Sequence, residues 1–161
     1  MPQRRSWMPE ANVQEALMLR HQATETALGV ELPPAELLEA LRALRDAHGY
    51  RFYIVTTGID GKEGIEIVHG LRNLETGDDF FVKVQLPKDD PELDSAAFLF
   101  AGAEWHEREI LDLFGVRFRS HPDPRRILMP DEYEGHPLLK DFPMDTPWGY
   151  RPAAPESETD G

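Results

Sequence analysis

The chain contains no cysteine among its 161 residues, and this absence excludes several chemistries at once. There is no disulfide frame, no thiolate nucleophile, and no set of ligands for a Cys-held iron–sulfur cluster or a Cys-rich zinc site. Positive charge is scarce as well. Against 30 Asp and Glu stand only 17 Lys and Arg, a net charge of −13, which disfavours nucleic acid and anionic membrane surfaces as partners. Long apolar runs are missing too. The longest, Ala96 to Ala103, is interrupted by Gly102 and is far too short to span a bilayer. The N-terminus carries Arg4 and Arg5 but continues Trp-Met-Pro-Glu-Ala-Asn, without the apolar stretch of a secretory signal. A soluble cytoplasmic protein with no direct membrane insertion is expected. The sequence also lacks a Gly-x-Gly-x-x-Gly dinucleotide fingerprint, a phosphate loop and a Gly-x-Ser-x-Gly elbow.

The periodicities that are present describe an α+β chain. Asn12 and Glu15 resemble a capping box for a helix with Val13, Leu17 and Arg20 on one side. Thr24 to Leu32 reads as a short edge strand. Pro33-Pro34 opens a helix that runs to His48, with Leu37, Leu41 and Leu44 on one face, Leu38 beside them and Gly49 as its stop. Three strands follow: Arg51 to Thr57, Ile65 to Leu71 and Phe80 to Leu86. In the second, Ile65, Ile67, His69 and Leu71 share a face, and in the third Phe80, Val82, Val84 and Leu86 do. Turns at Gly58 to Gly64 and at Thr76-Gly77-Asp78 make them a small antiparallel meander packed by helices. Asp94 is placed to cap a short helix through Phe100.

The densest chemistry lies between Ala103 and Pro143. Ala103, Ile110 and Phe114 fall on one helical face, and Gly115 is the C-terminal stop. Glu107 lies on that apolar face, where a carboxylate needs a partner, and Arg125 and Arg126 are the expected forks. Glu104, Arg108 and Asp112 form an i, i+4 ladder. His106 and Glu107 begin like a zinc-protease motif, but the second histidine is missing, so neither a metal site nor a catalytic residue is assigned. His121 and His136 each precede proline and are expected to donate to backbone carbonyls. Eight of the 14 prolines lie between Pro122 and Pro155, interleaved with Tyr133, Phe142, Trp148 and Tyr150. Such a segment makes neither a long helix nor a central strand, and its aromatic side chains need a surface to lie on, either this chain's own domain or another subunit. The expected division is an α+β domain over 1–118 that includes the motif helix 103–114, an extended proline-rich arm over 119–151, and a tail over 152–161 too polar to fold alone.

One spacing is specific. Glu107-Arg108-Glu109, two residues, Asp112-Leu113-Phe114, six residues, His121, three residues, Arg125, one residue, Ile127-Leu128 resembles the signature of the C-type subunit of respiratory complex I, the type I NADH:quinone oxidoreductase. The continuation Glu134-Gly135-His136-Pro137 and Lys140-Asp141-Phe142-Pro143 is similar to the same family, and the resemblance covers roughly Pro34 to Pro143. His106 stands where that family usually has an aromatic residue. The resemblance implies a cofactor-free structural subunit of the hydrophilic arm, on the cytoplasmic side of the cell inner membrane. It also implies a C-terminal extension that wraps the large quinone-site subunit, the D-type subunit, beside the iron–sulfur subunits. Flavin, iron–sulfur clusters and quinone are then expected in neighbouring subunits. The signature residues Glu107, Arg108, Glu109, Asp112, Phe114, His121, Arg125, Ile127, Leu128, Gly135, His136, Pro137, Lys140, Asp141, Phe142 and Pro143 are expected to serve the subunit interface. A sister subunit of membrane-bound nickel–iron hydrogenases carries a similar signature and is the alternative. A free-standing metal-dependent enzyme is a third reading, and it requires the clustered histidines and carboxylates to bind a metal.

Overall fold

The computed structural model describes residues 11–22, 24–26 and 29–143; Trp148, Tyr150 and the expected tail 152–161 lie outside them. The element order is helix α1 (Ala11–Arg20), strands β1 (Thr24–Thr26) and β2 (Gly29–Leu32), a 3-10 turn (Pro34–Glu36) and helix α2 (Leu37–Ala47). Strands β3 (Phe52–Asp60), β4 (Ile65–Arg72), β5 (Asp79–Leu86) and β6 (Glu92–Asp94) follow, then helix α3 (Ala103–Phe114) and strand β7 (Arg117–Arg119). The expected α+β class holds.

The meander β3-β4-β5 is antiparallel as expected, and its register explains the buried face. Thr56 pairs with His69 and His69 with Val82; Gly58 pairs with Ile67 and Ile67 with Val84. Residues that share a row project to the same side, so Ile65, Ile67, His69, Leu71, Phe80, Val82, Val84 and Leu86 form one buried layer. Helix α2 lays Leu37, Leu41 and Leu44 on that layer, and α3 covers the β3 side of it. The opposite face is half-polar, with Lys83 bridging Glu66 at 2.8 Å and Glu31 at 3.5 Å.

Four local expectations are corrected. Asn12 lies inside α1, which already includes Ala11, so it is not the cap; Val13 and Leu17 are nevertheless buried. Thr24 to Leu32 is a hairpin of two strands, and β2 joins the sheet parallel to β5, giving the order β1-β2-β5-β4-β3. A local alternation pattern cannot reveal that parallel pairing. Gly58 lies within β3, not in a turn, because β3 continues to Asp60. No helix forms from Asp94 to Phe100: Asp94 ends β6, which pairs parallel with β7, and gives its carboxylate to Arg119 at 2.7 Å, while residues 97–99 make only a turn in which the Leu99 and Phe100 N–H groups donate to the Ala96 carbonyl.

Gly58 positions the motif helix. A Cβ there would lie 2.9 Å from Cδ2 of Phe114 and 3.1 Å from its Cε2, so the ring rests directly on bare backbone. Replacement Gly58→Val is expected to cost about 1–3 kcal/mol through overpacking. Chemical denaturation checks this, and a Gly58→Val/Phe114→Ala double variant should lose less than the sum of its parts.

Candidate functional site: two buried carboxylates on the motif helix

Helix α3 ends where Gly115, at φ 75°, adopts the left-handed conformation and donates its N–H to the Leu111 carbonyl at 3.0 Å. Two carboxylates on this helix, Glu107 and Asp112, are fully buried. Their surroundings differ in kind.

Asp112 is surrounded by donors from the segment that follows the helix. Its Oδ2 accepts the backbone N–H groups of Ile127 (3.1 Å), Leu128 (2.7 Å) and Met129 (2.8 Å), and its Oδ1 accepts Arg126 Nη1 at 2.6 Å. Burial by itself raises the carboxyl pKa, but these four donors outweigh it and hold Asp112 below the ordinary carboxylate range. The turn also binds the segment through its own carbonyls. His136 Nδ1 donates to the Asp112 carbonyl at 2.8 Å, and the Leu138 N–H donates to the Leu113 carbonyl at 3.1 Å. A Cβ at Gly115 would lie 2.6 Å from the His136 ring, so only glycine admits both the left-handed turn and this histidine. Arg126 continues to the Gly135 carbonyl at 3.1 Å and lies 6.0 Å from the Tyr133 ring centroid, while Tyr133 stacks on Phe142 at 6.2 Å.

Glu107 has no cation beside it, which corrects the expected pairing with Arg125 or Arg126. Ser95 Oγ donates to its Oε2 at 2.6 Å and the Ala96 N–H to its Oε1 at 2.7 Å. Arg126 is already committed to Asp112, and Arg125 reaches out to Asp123 at 2.5 Å. Burial, only partly offset by these two donors, pushes the Glu107 carboxyl up to about 7. His121 Nε2 is 3.8 Å away but is directed at the Glu104 carbonyl at 3.0 Å. Because His121 Nδ1 accepts the Asp123 N–H at 3.0 Å, the proton of the neutral ring sits on Nε2. Both His121 and His136 therefore bond backbone carbonyls as expected.

The helix ladder is the other correction. Arg108 leaves Glu104 and Asp112 and turns to the segment, donating Nε to the Arg125 carbonyl (3.0 Å) and Nη2 to the Arg126 carbonyl (2.9 Å), with Asp123 at 3.4 Å. Carbonyl groups that would otherwise be orphaned beside α3 attract it more strongly than an exposed helix pair does. Glu109 is exposed, Phe114 covers Gly58, and Pro137 is half-buried. His106 stands edge-on to Tyr53, with ring centroids 5.9 Å apart, and so fills an aromatic position.

A second anchor lies 80 residues away in sequence and was not legible there. The Lys140 N–H donates to Asp60 Oδ2 at 2.7 Å, at the end of β3, while Lys88 Nζ sits 2.7 Å from Asp60 Oδ1 and 3.9 Å from Asp141. Bonding to Lys88 and then to the Lys140 amide holds Asp60 below the usual carboxylate range. A further polar chain crosses the core, where Tyr53 contacts Thr56 and Thr56 Oγ1 lies 2.8 Å from His69 Nδ1. Burial pushes His69 down to about 3, so this ring is neutral. Among the described residues, no group of three or more His, Asp or Glu is placed to hold a metal ion.

Fold and site together define a class: an α+β domain whose helix α3 holds the proline-rich segment that follows it through one buried carboxylate, Asp112. The chain belongs to the family described as respiratory-chain NADH dehydrogenase, 30 kDa subunit, the C-type subunit family of complex I, which matches residues 30–147. The NADH-quinone oxidoreductase C-type subunit of Moorella thermoacetica is 40% identical over 132 residues, 78% of this chain and 89% of that protein. A C/D-type subunit of Phocaeicola vulgatus is 36% identical over 115 residues, 70% of this chain but only 22% of that longer protein. Among solved structures, the trypsin-resistant fragment 1–134 of Nqo5 superposes with a TM-score of 0.60 at 31% identity, covering 71% of this chain and 97% of the fragment. A chain of the membrane-bound sulfane sulfur reductase, an archaeal respiratory membrane complex, superposes with a TM-score of 0.71 at 27% identity, covering 84% and 85%.

Two predictions separate the carboxylates. Asp112→Ala leaves three amides and a half-buried guanidinium without their acceptor and is expected to destabilise the chain by about 3–5 kcal/mol. Denaturant unfolding checks this, with hydrogen exchange at 127–129 rising in parallel. For Glu107 the folded pKa, about 7, lies above the ordinary 4.5, so the folded state holds the proton more tightly. The associated stability is present below pH 4.5 and is lost as pH rises through about 7, on the order of 3 kcal/mol in all. Glu107→Gln keeps an acceptor for the Ala96 amide and should flatten this part of the stability–pH profile, read by thermal melts between pH 5 and 8.

Proposed function

We propose that this chain serves as the C-type subunit of an NADH:quinone oxidoreductase. In this reading it is a cofactor-free structural subunit of the hydrophilic arm, supporting electron transfer from NADH to quinone coupled to proton translocation. The observation that carries the reading is the family match over residues 30–147, a span that takes in Glu107, Asp112, Asp60 and the segment they hold. Flavin, iron–sulfur clusters and quinone belong to neighbouring subunits, and the lack of cysteine removes the usual cluster ligands from this one. The signature residues then shape an interface and perform no turnover. Asp112 and Arg126 set the path of the segment, Arg108 and His121 tie its root, and Asp60 receives Lys140.

The partner in this reading is the large quinone-site subunit, the D-type subunit, with iron–sulfur subunits adjacent, on the cytoplasmic side of the inner membrane. Support for this partner comes from the C/D-type relatives, in which the matched region is a minor part of one longer polypeptide. The working division keeps 1–118 as the folded body and 119–151 as the partner-facing arm. That boundary cuts through β7 at Arg119, and the arm's first part is bonded to its own domain before any partner arrives.

The likeness to a chain of the archaeal sulfane sulfur reductase favours a second reading, a sister subunit of a hydrogenase-related complex. Depletion of the chain in its native host separates the two. Loss of NADH:quinone reductase activity from membranes, together with loss of the membrane-associated large quinone-site subunit, and restoration of both by the reintroduced gene is the expected result. Loss of ferredoxin-driven activity with NADH-driven activity spared would favour the second reading. Unchanged activity of both kinds would overturn both.

A further inference from the structure

Two buried titratable side chains face each other where α3 meets the chain that follows β7. The His121 side chain is 2% exposed and that of Glu107 0%, and His121 Nε2 lies 3.8 Å from Glu107 Oε2, too far for a hydrogen bond. The one proton of the ring, on Nε2, goes instead to the Glu104 carbonyl at 3.0 Å, about one helical turn before Glu107. A single N–H thus has two acceptors beside it, a carbonyl in reach and a carboxyl just out of reach. Which of them holds it depends on the charge of Glu107, because a carboxylate takes a shorter hydrogen bond, roughly twice as strong as a neutral acceptor does. Each oxygen of Glu107 has one donor, Ser95 Oγ or the Ala96 N–H, so Oε2 has room for another. The other charged and titratable groups around the pair are engaged elsewhere. Tyr53, on β3, is kept protonated chiefly by burial and bonds Thr56, while His106 stands edge-on to its ring. Arg108 is turned to the carbonyls of 125 and 126, and Arg119, whose carbonyl receives the Ser95 N–H, is paired with Asp94 and Glu92. Asp123 is held by Arg125.

We propose that Glu107 and His121 form a proton-operated latch at the root of the C-terminal segment, in which loss of the Glu107 proton to solvent draws the His121 Nε2–H from the Glu104 carbonyl onto Glu107 Oε2. The ring stays neutral and carries along the proton it already holds. Its other nitrogen accepts the Asp123 N–H at 3.0 Å, so the ring cannot swing without pulling on the turn at 121–123. The carboxylate of that turn binds Arg125 at 2.5 Å and meets Arg108 at 3.4 Å, the two arginines beside the start of the segment. The root therefore has two positions, selected by whether Glu107 holds its proton. Burial of Glu107 sets the changeover at about pH 7. Asp112, ionised and surrounded by four donors, keeps its hold on residues 126–129 in both positions.

Nuclear magnetic resonance of the isotope-labelled full chain across neutral pH reads the three members separately: the Glu107 carboxyl carbon, the His121 ring nitrogens and the Asp123 amide. All three are expected to shift with one midpoint near 7, with His121 in the Nε2–H tautomer throughout. Glu107→Gln should abolish the steps at His121 and Asp123. Ser95→Ala removes one of the two donors that favour the carboxylate, and should move all three steps together to higher pH, by on the order of one pH unit. A Glu107 carbon that does not titrate would overturn the latch, as would an Asp123 amide that stays still while Glu107 titrates, or a His121 step that survives Glu107→Gln. If Glu107→Gln does not fold, Ser95→Ala decides alone: a Glu107 midpoint that rises while those of His121 and Asp123 stay in place would mean that the groups titrate independently, and no latch exists.

Discussion

A buried aspartate that must find donors organises the C-terminal half of this protein. Asp112 loses its water on the inner side of α3, and an unpaired carboxylate there would be costly. Four donors from one short stretch, three consecutive amides and the Arg126 guanidinium, replace that water. Consecutive amides converge on one oxygen only if the backbone curls around it, so the charge dictates the path of a segment whose prolines prevent it from forming a ladder. The left-handed turn at Gly115 brings the chain back within reach, and His136 closes over the bare glycine. Arg108 and His121 tie the root of the segment to α3, this turn holds its middle, and Lys140 reaches Asp60 at its far end.

The same helix carries a second buried carboxylate with the opposite tendency. Glu107 sits five residues earlier, is equally buried, and meets only a hydroxyl and one amide. With no cation and fewer donors, burial prevails and its affinity for a proton rises, whereas Asp112 stays ionised. The contrast follows from supply. Arg126 serves Asp112 and Gly135, Arg108 serves the carbonyls at 125 and 126, and none remains for Glu107. One carboxylate thus fixes the segment by charge, and the other joins the helix to the loop at Ser95 as a group poised near neutrality.

For a member of this complex I family, the construction has a functional sense. A proline-rich segment loses less entropy on ordering than an ordinary one, but it cannot satisfy its own backbone. Binding it to the domain before assembly leaves a surface whose side chains are already in place.

Local pattern determined much of the architecture in advance. Period-two alternation placed Ile65, Ile67, His69 and Leu71 on the buried face with Phe80, Val82, Val84 and Leu86, because the pleat sends alternate residues to opposite sides whatever the neighbours are. Leu37, Leu41 and Leu44 followed from the helical repeat for the same reason, and the long spaced signature around Glu107 pointed to the family. Tertiary structure decided what depends on distant partners. The parallel docking of β2 on β5, the use of Asp94 in a strand pair and the diversion of Arg108 from its helix neighbours all result from groups far apart in sequence. The choice of Ser95 for Glu107, of Arg126 for Asp112 and of Lys140 for Asp60 belongs with them. A carboxylate's need for donors can be read from its position on an apolar helix face. Which donors meet that need is decided only when the chain closes, since any nearby amide or guanidinium can do so and the folded geometry selects among them.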